Sequence, residues 1–283
     1  MASERNFRQM VEVMWTDRKF VCVGLDSDYS KIPGSLRKER SYRKTSIANT
    51  IFSFNTKIVK ATHDLVCAYK PNSAFYEAQG EEGMRALRRT VSYIHETYPD
   101  VPVILDAKRA DIGNSNELYA KAVFDEMGVD ALTVHPYLGG EALEPFLARK
   151  GKGIFVLVKT SNPGSGELQD LDVGGKKLYE YIASSVADSW NKNGNCGVVV
   201  GATYPDEVAR VRTLVKDLPI LIPGIGLQGG DARGAYANGK NSHGEGVLIA
   251  VGRSILYKSR EKDFAEQARQ EVLSIAEEIR LSR

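Results

Sequence analysis

The decapeptide LDAKRADIGN, residues 105–114, brings Asp106, Lys108 and Asp111 close together directly after the apolar run VPVI. Carboxylates beside a lysine favour its ammonium form. An ammonium held in that way can stabilise developing negative charge and then donate a proton. It does not suit a Schiff-base lysine, which must shed its charge to attack a carbonyl. Asp106 and Lys108 are two positions apart, so on an extended segment they share a face while Ala107 points the other way. Two readings of the pair stand: a salt bridge that closes off a core, or a cluster aimed at a substrate. Charges are rarely fully buried without a partner or a purpose, which favours the second.

Such a cluster needs a frame, and the chain supplies a regular one. Short apolar runs rich in β-branched residues recur at 20–26 (FVCVGLD), 65–71 (LVCAYKP), 101–108 (VPVILDAK), 131–136 (ALTVHP), 153–161 (GIFVLVKTS), 196–202 (CGVVVGA), 219–224 (PILIPG) and 246–252 (GVLIAVG). Most lack polar alternation, as expected of parallel strands covered on both faces. Between them run helical stripes: Ile47, Ile51, Phe54 and Ile58; Met84, Leu87, Val91, Ile94 and Tyr98; Leu178, Ile182, Val186 and Trp190; and Phe264, Ala268, Val272, Ile275 and Ile279. Each stripe covers one face of a sheet. Eight strands alternating with helices predict an α/β fold, a (β/α)8 TIM barrel formed by residues 1–283 as a single domain. The competing doubly wound sheet calls for a GxGxxG turn after its first strand, and GLDSDYSKIPG is not one.

In a barrel the chemistry gathers at the C-terminal ends of the strands. Those ends carry Asp26; Lys70 and Asn72; Asp106 and Lys108, with Asp111 just beyond; Lys159, Thr160 and Ser161; and Gly252 with Arg253. PGIGLQGG (223–230), followed by VGRSI (251–255), has the makings of a phosphate site. Glycines admit an anion close to backbone N–H groups, Arg253 offers a fork of donors, and Gln228 offers an amide. A tight turn is the plainer reading of the glycines. The polar stretch KTSNPGSGELQDLDVGG (159–175) reads as a lid or as a surface excursion. His135 has no metal-ligand partner at usable spacing and reads as structural. Asn114 is expected to cap the helix that follows Asp111.

Composition narrows the possibilities. The 283 residues are 42% hydrophobic and 26% charged with a net charge of +2, which makes no electrostatic case for nucleic acid or an anionic membrane. The basic group LRKERSYRK (36–44) reads as a solvated loop and helix start. Cys22, Cys67 and Cys196 lie in apolar runs without CxxC or Cys/His spacing, so buried thiols are expected, with neither a disulfide framework nor a zinc site. MASERNFRQM lacks an apolar targeting segment, no run reaches transmembrane length, and a cytoplasmic location is expected.

Taken together, DAKRADIG, VGLD, KPNSAFY, VKTSNPGS, PGIGLQGG and VGRSI resemble, in order and spacing, the orotidine 5′-phosphate decarboxylase family, in the spelling of its longer bacterial form. The resemblance spans about residues 5–280. It implies a homodimeric barrel that converts orotidine 5′-phosphate to UMP and CO2 without metal or other cofactor. Lys70, Asp106, Lys108 and Asp111 would form an alternating charge network, with Lys108 protonating C6 of the pyrimidine. Asp111 and Ile112 would reach the neighbouring subunit's site. Asp26 and Asn72 would make ribose or network contacts. Thr160 and Ser161 would touch the pyrimidine, and Gln228, Gly252 and Arg253 would grip the phosphate. Two other classes remain. One is a magnesium-dependent sugar-phosphate synthase or decarboxylase of the same superfamily, which sensitivity to EDTA would reveal. The other is a barrel that binds a nucleotide without catalysis, which any CO2 release would exclude.

Overall fold

A computed structural model describes residues 5–37, 46–226 and 229–282. Most of the basic group at 36–44, and Gln228, therefore lie outside the described residues. The apolar runs form strands β1 (Val21–Gly24), β2 (Ala68–Lys70), β3 (Ile104–Arg109), β4 (Ala131–Val134), β5 (Gly153–Lys159), β6 (Cys196–Val200), β7 (Ile220–Pro223) and β8 (Val247–Val251). They pair in parallel in the order β2–β1–β8–β7–β6–β5–β4–β3. Two isolated parallel bridges, Tyr69 to Val103 and Asn72 to Asp106, join the end strands β2 and β3. The fold is the expected (β/α)8 barrel.

The helical stripes face the sheet as their spacing requires. Ile51, Phe54 and Ile58 are buried in helix Ile47–Thr62, and Leu87, Val91 and Ile94 in helix Gly80–Thr97. Ala268, Val272, Ile275 and Ile279 are buried in the closing helix Phe264–Arg280. The stripe ending at Trp190 is less regular: an α-helix spans Leu178–Ser185, and Val186–Trp190 continues as a π-helix. Cys22, Cys67 and Cys196 are buried free thiols. No described helix is long and apolar enough to cross a membrane.

The first described helix precedes the strand–helix repeat. Helix Phe7–Thr16 buries Phe7, Val11, Met14 and Trp15 and closes the N-terminal end of the barrel. Phe7 meets Phe155 of β5 edge to face, with ring centroids 5.5 Å apart. Gly153 makes room for it, since a Cβ there would lie 2.3 Å from the Phe7 ring. The Trp15 indole N–H donates to the Val247 carbonyl at the start of β8 (2.8 Å).

The same end holds a buried acid, Asp130, whose carboxylate accepts from Arg5 (2.7 and 2.9 Å), His95 (3.0 Å) and the Val103 N–H (2.8 Å). Burial alone would raise its pKa, but His95 and Arg5 outweigh that and hold the carboxyl at about 2. A depressed carboxyl stabilises the fold fully above its unfolded pKa near 4, and the contribution is lost as pH falls toward the folded value. Asp130→Asn is therefore expected to lower unfolding free energy by about 2 kcal/mol at pH 7 and by less at pH 3. Urea unfolding at the two pH values measures both, and equal midpoints at pH 7 would refute the assignment.

Candidate active site

The polar strand ends converge on one cavity of about 450 Å³ at the C-terminal mouth of the barrel. Leu157, Val199, Leu221 and Ala250 give it an apolar floor, and Asp26, Lys70, Asn72, Asp106 and Lys108 line one side. Thr160 and Ser161 line it after β5, and Gly252 and Arg253 after β8.

Asp106 is the hub. Its Oδ2 accepts from the Lys70 ammonium at 2.9 Å, and its Oδ1 accepts from the Lys108 ammonium at 2.7 Å and from the Thr133 hydroxyl at 2.9 Å. Asn72 stands 3.5 Å from Oδ2 and caps the short helix Ser73–Glu77 by accepting from the Ala74 N–H. Burial disfavours the Asp106 carboxylate, but Lys70 and Lys108 more than offset that and hold its pKa below the usual carboxylate range. Burial likewise works against the Lys70 ammonium, and Asp106 and Asp26 reverse the sign, leaving its pKa above that of an ordinary lysine. The pair is thus ionised on both sides in a largely buried wall of the cavity.

Asp106 and Lys108 meet, but not by the expected geometry. The pairing of β3 with β4 slips between Leu105 and Arg109, and Lys108 adopts a left-handed backbone with φ +47°. A bulge of this kind re-aims a side chain instead of continuing the alternation. The Lys108 N–H donates to the Thr133 hydroxyl (3.0 Å) and so holds the bend. The Lys108 side chain remains 48% exposed, against 7% for Lys70. One carboxylate therefore binds one sealed ammonium and one that faces the cavity.

Asp26 completes this wall. Its Oδ1 is buried without a hydrogen-bond partner, and burial raises its pKa, with Lys70 acting in the opposite sense. Its backbone is fixed from behind, because the Tyr257 hydroxyl donates to the Asp26 carbonyl (3.0 Å). Across the mouth, Arg253 is exposed and follows Gly252, the N-cap of the helical turn Arg253–Leu256. The glycine loop behaves differently from the simplest phosphate cradle. The N–H groups of Gly226, Gly229 and Gly230 donate to carbonyls of the same loop, so they serve the turn and not an anion.

Residues 19–268 match the model of the Orotidine 5′-phosphate decarboxylase / HUMPS family. The chain belongs to that family. A relative named orotidine 5′-phosphate decarboxylase from Cupriavidus metallidurans is 47% identical over 274 residues, covering 96% of this chain and 97% of the relative. One from Ralstonia pickettii is 44% identical over the same shares. Among solved structures, the OMP decarboxylase of Leishmania donovani is 36% identical with a TM-score of 0.79, covering 96% of this chain and 98% of that one. The UMP synthase of the same organism is also 36% identical, with a TM-score of 0.82, and the chain spans 57% of its greater length.

Within this orotidylate decarboxylase-family barrel, Lys70, Asp106, Lys108, Asp26, Asn72, Thr160, Ser161, Gly252 and Arg253 all line the cavity. Asp111 and Ile112 do not. Asp111 is half-buried and its carboxylate accepts the N–H of Ile112, a residue 65% exposed. Asn114 does not cap the following helix. That helix spans Gly113–Ala120 and its start has no side-chain cap. Buried Asn116 instead clamps the Asp111 backbone, accepting from its N–H and donating to its carbonyl. Arg109 lies outside the cavity, paired with Glu77 and over the Tyr119 ring. His135 is also outside it, with Nδ1 buried and unpartnered. Among the described residues no group of three His, Cys, Asp or Glu side chains is placed to hold a metal ion. Thr133 is a residue of the charge cluster that sequence reasoning missed, and its only signal was a hydroxyl in the otherwise apolar run ALTV.

Asp106→Asn would leave the Lys70 ammonium buried without its counter-charge, a loss expected to cost about 3–5 kcal/mol of stability. Adding Lys70→Met removes the stranded charge, so the double variant is expected to regain part of that loss. Chemical denaturation of the two single variants and the double measures the coupling, and strictly additive losses would refute it.

Proposed function

We propose that this chain removes CO2 from orotidine 5′-phosphate to give UMP, the last step in making that nucleotide. The observation that carries the reading is the pair of lysines on one Asp106 carboxylate, set in the wall of the cavity into which the polar strand ends converge. Family membership supports it, and the relatives from Cupriavidus and Ralstonia bear the decarboxylase name.

Loss of CO2 from a pyrimidine C6 leaves a carbanion with little delocalisation. Without an electron sink on the ring, the enzyme must stabilise that charge with a preorganised cation. Lys108 suits this role because it is charged, held by Asp106 and turned toward the cavity by the bulge. As the C–C bond breaks, its ammonium faces the developing negative charge, and it then transfers a proton to C6. Lys70 keeps Asp106 ionised while this occurs. Asp26 and Asn72 take ribose hydroxyls, Thr160 and Ser161 the pyrimidine edge, and Gln228, Gly252 and Arg253 the phosphate. Binding at the phosphate, remote from C6, contributes to holding the reacting end in place.

Asp111 completes the network from a second copy of the chain. Its absence from the cavity of its own barrel and the 65% exposure of Ile112 support this, as does the exposed apolar surface of Leu118 and Tyr119 on the next helix. The working unit is then a homodimer with shared sites.

Incubation with orotidine 5′-phosphate, followed by chromatography of UMP and CO2, tests the reading directly, and no product would overturn it. Lys108→Ala is expected to lower kcat/KM by about 10³-fold or more with the fold intact. Turnover that persists in EDTA separates the proposal from a magnesium-dependent activity. The shared site is tested by co-refolding inactive Lys108→Ala with inactive Asp111→Ala. Random pairing restores one intact site in each mixed dimer, about a quarter of wild-type activity. No recovery in a proven mixed dimer would place Asp111 in its own barrel's site.

A further inference from the structure

Lys159, the last residue of β5, is buried in full, yet it does not line the cavity. The pairing of β5 with β6 slips between Leu157 and Lys159, so the strand's final side chain leaves the alternation that puts Leu157 in the cavity floor. Its ammonium lies behind the wall. It donates to the Asp170 carboxylate at 2.7 Å and stands 4.7 Å from the Tyr204 ring centre and 5.9 Å from that of Tyr179. Aromatic faces help hold a desolvated cation, but only the carboxylate neutralises it.

Asp170 belongs to the polar excursion after β5, which is ordered by a 3₁₀ turn at Pro163–Ser165, a helical turn at Gly166–Gln169 and a small hairpin of Asp172–Val173 with Lys176–Lys177. Its neighbour Gln169 grips the cavity wall. The Gln169 carbonyl oxygen accepts the Thr160 N–H (2.9 Å), and its amide donates to the Thr160 hydroxyl (2.9 Å). The Thr160 hydroxyl in turn donates to Asn162 (2.6 Å). Ser161 is packed so closely against the turn after β6 that a Cβ on Gly201 would lie 2.8 Å from its Cα.

We propose that Lys159, acting through Asp170 and Gln169, is a positioning residue that latches the 160–170 excursion and thereby sets Thr160 and Ser161 for the pyrimidine. The inference rests on the decarboxylase reading for the identity of the ligand, but the latch itself is a property of the free chain. The pair is asymmetric: the Lys159 side chain is 1% exposed and that of Asp170 40%. When the excursion lifts, Asp170 moves into water at little cost while Lys159 is left as a buried uncompensated charge. That cost makes the docked state the resting state, so the binding edge is ordered before substrate arrives.

The latch touches binding and leaves Lys108 untouched, so its loss weakens ground state and transition state alike. Asp170→Asn and Gln169→Ala are expected to raise KM for orotidine 5′-phosphate and Kd for UMP about ten-fold, with kcat at saturation within about three-fold of wild type. Lys159→Met should do the same, and Asp170→Glu should recover much of the loss. The Lys159→Met, Asp170→Asn double variant should be no worse than the poorer single, because the two residues act as one unit. Asp170 is on the surface, so its variants report even where Lys159→Met fails to fold. Hydrogen exchange over residues 160–170 provides a readout without substrate, and Asp170→Asn is expected to speed it. If wild type makes no UMP, the decarboxylase reading falls and exchange still decides the latch. Unchanged exchange, or KM and Kd within about two-fold of wild type in folded Asp170→Asn, overturns the proposal.

Discussion

Closure of the barrel and assembly of the charge cluster are one event. Among the described residues, seven of the eight strand junctions are ladders, but β2 and β3 are joined by two isolated bridges, one of them between Asn72 and Asp106. The Asp106 N–H reaches across to the Pro71 carbonyl (2.9 Å), and the Lys70–Asp106 ion pair spans the same seam. A sparse seam would be a liability in a cylinder whose other joints repeat hydrogen bonds along their length. Here it brings the last residues of β2 and β3 together at the mouth, and the carboxylate ties side chains from β2, β3 and β4. The site therefore depends on the barrel being shut, and that joint depends partly on the site.

The two ends of the barrel treat buried charge differently. At the N-terminal end, Asp130 has donors for both oxygens, and the Arg212 guanidinium donates to the carbonyls of Lys216, Leu218, Gly239 and Gly246. Burial, with no carboxylate bonded to it, lowers the Arg212 pKa to about 10. These groups are satisfied internally and tie the strand starts to their loops. At the C-terminal end, Asp26 Oδ1 has no partner, Lys108 is half exposed and Arg253 is exposed. Charged groups left open to a ligand, gathered in one cavity, are what separate a binding surface from a structural one.

Much of this was legible in the chain. The eight apolar runs became the eight barrel strands, because strands sealed on both faces can hardly carry polar alternation. Most of the polar residues at their C-terminal ends line one cavity, because a parallel barrel brings those ends to one rim. What remained hidden needed a neighbour or a departure from regular geometry. The helix at Phe7 closes the barrel end outside the strand–helix repeat. The meeting of Asp106 and Lys108 depends on a bulge that periodicity does not announce. Asn114 had the right residue type for a cap, yet Asn116 holds the turn from inside the helix. Thr133 looks ordinary in sequence, and Lys159, visible there as a polar strand end, turns away from the cavity; each acquires its meaning from the carboxylate it faces.

The bulge resolves a conflict built into any carboxylate with two lysines. A continuous β3 would leave Lys108 in the ladder, with both lysines competing for the same buried surroundings. Left-handed backbone is unfavourable for a residue with a Cβ, and such strain persists only where the surroundings impose it. Thr133 does so here, bonding the Lys108 N–H and the Asp106 Oδ1 with one hydroxyl. The result is a division of labour along one short chain of charges. Lys70, sealed at the seam, keeps Asp106 an anion. Asp106, so fixed, keeps an ammonium at the cavity wall. Lys108 stays free enough of the protein to meet something else, and the strain at its backbone is the physical mark of that difference.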